Sequence, residues 1–129
     1  MKIARIYFFL LLVLLYVPSI SCAQGAADKS WNPFWTQFAA AVKMKNKATV
    51  KRLMVPESGW YSGEGTRDEW LGSLDKNGWW SRVQRSVSLG TMPFRDLSRR
   101  PSRITKDRQL TFQYIGGKWR FVGIMENVD

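Results

Sequence analysis

Apolar positions follow three patterns along this chain, and each predicts a different kind of element. The first is an unbroken run, "IYFFLLLVLLYV", from Ile6 to Val17, preceded by Lys2 and Arg5. A run of about twelve apolar residues is short of the roughly twenty that a spanning helix needs, and a basic flank ahead of it is the pattern of a signal peptide. Pro18 ends the run, and Ser21 and Ala23 put small residues where an exporting peptidase would cut, so residues 1–23 read as a leader. Residues 24–30, "QGAADKS", are small and polar, as expected of a flexible linker. Residues 31–129 then form a single domain.

The second pattern repeats every three or four residues. Trp31, Phe34, Trp35, Phe38, Ala41 and Val42 predict a helix whose start is marked by Asn32 as cap and Pro33 in the first turn. Asn46 interrupts it, and "KATVKRLMV" predicts a second, short helix with Val50, Leu53 and Met54 inward, ended by Pro56. Thr66 and Glu69 make a capping box for a third helix carrying Trp70, Leu71 and Leu74, with Asn77-Gly78 as a left-handed stop. "WWSRVQRSVSLG" fits both periods and is expected to be a helix followed by a short strand, while residues 90–107 are either an irregular strand or a loop.

The third pattern alternates. "RQLTFQYI" and "KWRFVGIM" flank Gly116-Gly117, a hairpin signal that pairs Tyr114 with Trp119, Phe112 with Phe121 and Leu110 with Gly123. The apolar members then share one face, and Thr111, Gln113, Lys118 and Arg120 make the other face wet. A sheet with one dry side needs a lid, which the first helices supply. The predicted fold class is α+β, with N-terminal helices packed on an antiparallel sheet that ends in a C-terminal β-hairpin.

Composition narrows the chemistry. The chain carries a formal charge of +10, seven tryptophans, no histidine and one cysteine. Cys22 has two readings: with Ser19, Ile20 and Ser21 ahead of it, it partly matches a lipidation site, and cleavage after Ala23 would discard it. No metal site can be assembled at familiar spacing without His or a retained Cys, and no clustered acidic loop offers an oxygen cage. Ser58 and Ser62 lack the strained elbow and the base of a serine nucleophile. Gly63 and Gly65 are only a fragment of a phosphate loop. Among the carboxylates, Asp75 alone sits among aromatic residues, at a position that also suits a solvated helix end. No catalytic residue and no cofactor are therefore assigned.

Two basic groupings remain. Lys43, Lys45, Lys47, Lys51 and Arg52 cluster between the first two helices, and Arg95, Arg99, Arg100, Arg103, Lys106 and Arg108 precede the hairpin. Either is a solvated face or a contact for an anionic partner, and Arg95, Arg99, Arg100 and Arg103 are the candidates for that contact. "KWRF" interleaves basic and aromatic residues, but the strand register turns Trp119 and Phe121 inward, which argues against a nucleic-acid platform. Trp60, Tyr61 and Trp79 fall near element ends and are candidates for lining a ligand pocket.

"FWTQFAAAVKMKNKATVKRLM", "TRDEWLGSLDKNGWW" and "LTFQYIGGKWRFVGIM" together resemble small exported bacterial proteins of the nuclear transport factor 2-like superfamily. The resemblance covers about residues 31–125 and implies a cone-shaped domain, helices over a curved antiparallel sheet, with a cavity that serves enzymes and binding modules alike. None of the family's catalytic residues can be carried over. The expectation is an exported, periplasmic or secreted, non-enzymatic binding or accessory domain of the bacterial envelope. It would be a homodimer through its sheet or a monomer, and would meet a membrane only through lipidated Cys22. Its partner would be a small ligand or an acidic envelope protein. The alternatives are an inhibitor or immunity-type protein docking an acidic partner through residues 95–108, and a small cone-fold enzyme using Tyr61, Asp75 or cavity arginines.

Overall fold

A computed structural model describes residues 18–63, 65–95 and 97–125, with side chains from Gln24 onward. Residues 1–17 of the expected leader, and the side chain of Cys22, lie outside that description. Helices α1 (Pro18–Lys43), α2 (Lys47–Arg52), α3 (Arg67–Ser73) and α4 (Trp79–Ser88) precede strands β1 (Thr91–Phe94), β2 (Ser102–Thr105), β3 (Leu110–Ile115) and β4 (Lys118–Ile124). The strands form one antiparallel sheet in the order β1-β2-β3-β4. The α+β class expected from the sequence is what the chain adopts. No helix among the described residues is long and apolar enough to cross a membrane.

Two expectations about α1 are corrected. Residues 24–30 are not a flexible linker but helical, and the helix runs through Pro33 instead of starting there. Proline costs a helix one N–H donor. The face that begins at Ala27 and continues through Trp31, Phe34, Phe38 and Ala41 is buried along its length. Ala27 has no exposed surface, and its carbonyl accepts the Trp119 indole N–H at 2.8 Å. This packing holds the turns before the proline. Beyond Lys43 the chain turns through Lys45 (φ 54°), and Asn46 caps α2 by accepting from Thr49 N at 3.2 Å.

The centre of the domain is aromatic. Phe38 of α1, Phe112 of β3 and Phe121 of β4 are fully buried with ring centroids 5.0 to 5.4 Å apart. The Thr66–Glu69 capping box forms as expected and starts α3. Asn77 and Gly78 both take left-handed backbone angles and redirect the chain into α4. The segment left open at residues 90–107 is a second hairpin, β1 and β2, with Pro93 on the edge strand, where a missing N–H is tolerated.

The predicted register holds for Tyr114 with Trp119 and Phe112 with Phe121, then fails. A bulge between Thr111 and Phe112 pairs Thr111 with Gly123 and Leu110 with Ile124, so Val122 is an extra residue. The cause lies on the outer edge of β4, where residues 53–61 run parallel to the strand. Phe121 N donates to Leu53 O, Val55 N to Phe121 O, Tyr61 N to Val122 O and Ile124 N to Tyr61 O, at 2.9 to 3.1 Å. A Cβ on Gly123 would stand 2.0 Å from Tyr61 O, so only glycine permits this approach. The sheet edge is thereby covered.

The outer face is also drier than expected. Thr111, Ser102, Ile104 and Val122 are buried there, and Thr111 Oγ1 donates to Gly123 O at 3.0 Å. Only Lys118, at the hairpin tip, is exposed among the four residues expected on a wet side; Gln113 and Arg120 are half-buried.

Candidate functional site

One face of α4 forms the wall of a cleft between the helices and the sheet. Trp79, Arg82, Val83, Ser86 and Leu89 recur at three- and four-residue spacing, so a single helix face carries all five. Opposite them lie Trp70 on α3, Leu110 at the start of β3 and Ile124 at the end of β4. The cleft encloses about 770 Å³, within the range of small-molecule sites. Its floor is apolar: Trp70, Val83 and Leu110 are buried. Its rim is charged.

The rim's acids already have partners. Asp107 accepts Ser86 Oγ at 2.6 Å through one oxygen, and Thr105 Oγ1 at 2.6 Å and Gln109 N at 3.3 Å through the other. This network pins α4 to the β2–β3 turn. Glu69 accepts from Thr66 N at 3.3 Å in the capping box. The rim's cations do not. The Arg82 guanidinium lies over the Trp79 ring, 5.0 Å from its centroid, and among the described residues neither Arg82 nor Arg85 forms an ion pair. Two guanidinium groups three residues apart thus line the cleft without an ion pair among the described residues, while its carboxylates, Glu69 and Asp107, are engaged elsewhere.

Below the cleft, Trp60 and Trp70 meet Phe121 edge to face, and both indole N–H groups are buried without a hydrogen-bond partner. Ser86 and Asp107 resemble a nucleophile and its base in distance alone. Their bond is one of several that anchor α4, and no histidine stands between them to carry a proton. Among the described residues no three His, Cys, Asp or Glu side chains group closely enough to hold a metal ion. The arrangement can donate hydrogen bonds to an anion and shelter an apolar body.

The three pocket candidates do not share a cavity. Trp79 lines the cleft. Tyr61, largely exposed, lines a separate hollow of about 590 Å³ on the outer face of the sheet with Phe94, Thr111, Val122 and Met125. Trp60 packs against the core. Asp75 is solvent-exposed and lines neither space. It ion-pairs with Lys47 and accepts the Trp80 indole N–H at 2.8 Å. Those two bonds hold its carboxyl below the ordinary range, the Lys47 ammonium foremost.

The basic row before the hairpin divides. Arg95, Arg99 and Arg100 are exposed, Arg95 on the rim of the outer hollow. Arg103 is not part of an outward contact surface, because strand alternation turns it to the helix side. Its Nε donates to Thr91 Oγ1 at 3.0 Å, and its guanidinium covers the Trp31 ring at 4.9 Å. Burial depresses its pKa, with Asp28 opposing the shift. Sequence reasoning overlooked Arg82, Arg85 and Asp107. The signal was present in the i, i+3 spacing of Trp79, Arg82 and Arg85, but it has meaning only once α4 is known to line a cleft.

Compared with protein-family models, with curated proteins and with solved structures, the chain matches none.

Proposed function

We propose that this chain is an exported, non-enzymatic binding domain, and that the cleft beside α4 takes a small ligand combining an anionic group with an apolar body. The observation that carries the reading is the pair Arg82 and Arg85, without carboxylate partners on the rim of a cleft floored by Trp70, Val83 and Leu110. Guanidinium forks without an ion pair beside an apolar floor favour carboxylate or phosphate attached to hydrocarbon or aromatic groups. Helices over one face of an antiparallel sheet, with the cleft between the layers, suit the cone-shaped architecture of the nuclear transport factor 2-like superfamily. Export rests on the apolar run before Pro18 and the small residues at Ser21 and Ala23.

The test is the mass of the protein expressed with its own leader, recorded denatured and native. The denatured mass should begin at Gln24, or at Cys22 with acyl chains, and the native spectrum should hold an added mass that Arg82→Glu/Arg85→Glu removes. A full-length chain would contradict export, and an unliganded native protein would contradict the binding reading.

A second reading has its own observation. Leu97 is fully exposed beside Arg95, Arg99 and Arg100, an apolar tip within a basic loop. Such a loop suits docking of an acidic protein, as in an inhibitor or immunity-type protein. Capture of one acidic envelope protein, lost in Leu97→Ser and weakened by salt, would favour it over a small ligand.

A further inference from the structure

A second basic site lies at the other end of the domain, in the groove between α1 and the β3–β4 hairpin. The groove encloses about 450 Å³. Its charged lining consists of Arg52 at the end of α2 and Lys118 and Arg120 on β4, with no acidic residue. Its floor is Phe34, Leu53 and Trp119, all buried.

Three features set this groove apart from a solvated basic surface. The alternation of β4 puts Lys118 and Arg120 two residues apart on the side of the strand opposite Trp119, so they border the groove along the outer edge of β4, where Arg52 also stands. Arg120 Nη1 donates to Arg52 O at 3.2 Å, which places the Arg120 guanidinium against the end of α2 where Arg52 stands. Among the described residues, none of the three forms an ion pair, whereas the neighbouring Lys47 and Lys51 pair with Asp75 and Asp68. Repulsion among like charges costs stability unless an anion joins them. The Arg120 guanidinium uses one N–H on a carbonyl and keeps its remaining donors for another acceptor.

We propose that this groove binds a phosphate group, held by the Arg52 and Arg120 guanidinium groups and the Lys118 ammonium. Guanidinium forks match the oxygens of a tetrahedral oxyanion, and an ammonium adds a compact charge. The apolar floor accommodates whatever the phosphate is esterified to. This site is separate from the α4 cleft and stands whether or not that cleft binds a ligand. Two sources offer the chemistry: a soluble phosphate ester and the headgroup of an anionic phospholipid.

The experiment measures binding of inorganic phosphate by titration calorimetry, and of phosphatidylglycerol and phosphatidylcholine vesicles by flotation, all at low salt with the full chain. Arg52 and Lys118 are exposed, so Arg52→Gln and Lys118→Gln keep the fold, and Lys76→Gln is the control for net charge. Each groove variant should bind about tenfold more weakly while the control does not, as expected for losing a charge-assisted bond. Phosphate binding without vesicle binding assigns the soluble ester, and preference for phosphatidylglycerol over phosphatidylcholine, lost in the groove variants, assigns the headgroup. Failure of both probes to bind, or binding that the groove variants leave at the control's level, overturns the proposal.

Discussion

Where α1 crosses β4, the polar and aromatic groups of the core find partners within the chain. Trp119 donates to Ala27 O, and Trp31 contacts the rings of Phe34, Trp35, Phe112 and Trp119 while Arg103 covers its face. Where α3 and α4 meet the ends of β3 and β4, the buried indole N–H groups of Trp60 and Trp70 lack partners, and Arg82 and Arg85 lack carboxylates. A buried donor without a partner costs free energy, so a site that keeps two is one where packing alone does not decide the residues. Substitutions at the first end should register in stability, and at the second in ligand affinity.

The largest effect should come from Phe38→Ala, which removes the ring at the centre of the aromatic layer. A fully buried phenylalanine truncated to alanine costs about 3 to 5 kcal/mol. Urea unfolding would measure it, and a loss below about 1 kcal/mol would mean the α1 end is not the packed one. Gly123→Ala comes next. The new methyl would collide with Tyr61 O, so the parallel pairing of residues 53–61 with β4 must open, at a cost of about 3 kcal/mol. An unchanged thermal midpoint would show that this edge pairing contributes little.

Asp75 gives a smaller, pH-dependent effect. Its folded pKa lies below its ordinary value of 3.8, so its ionised form stabilises the fold above that pH, and the contribution fades as pH falls through the depressed value. The stability difference between the wild type and Asp75→Asn should be present at neutral pH and should shrink as the pH falls below 3.8. Denaturant midpoints measured across that fall check it. A difference that grows on acidification would contradict the pairing with Lys47.

The comparison also explains what the sequence could and could not convey. Signals contained in a few consecutive residues were legible: the Thr66–Glu69 box, the Gly116-Gly117 turn and the first two rungs of its hairpin. Features set by distant partners were not. Pro33 looks like a helix start because the packing that carries α1 past it depends on Trp119, far along the chain. The bulge at Val122 answers to Tyr61, and the inward turn of Arg103 depends on a β1–β2 hairpin that no turn motif announces. The cleft was legible only through Trp79, because Arg82 and Arg85 read as ordinary solvated charges until α3 and β3 are set opposite them.

On the proposed reading, the α4 cleft is a binding site and not a gap in packing. Titration with anilinonaphthalene sulfonate, an anionic aromatic probe, tests it most directly in the wild type, in Arg82→Gln/Arg85→Gln, and in Arg99→Gln/Arg100→Gln as the control of equal charge. The cleft variant should unfold within about 0.5 kcal/mol of the wild type, as surface changes do, yet bind the probe about tenfold more weakly. Equal probe affinity in all three proteins would contradict the claim.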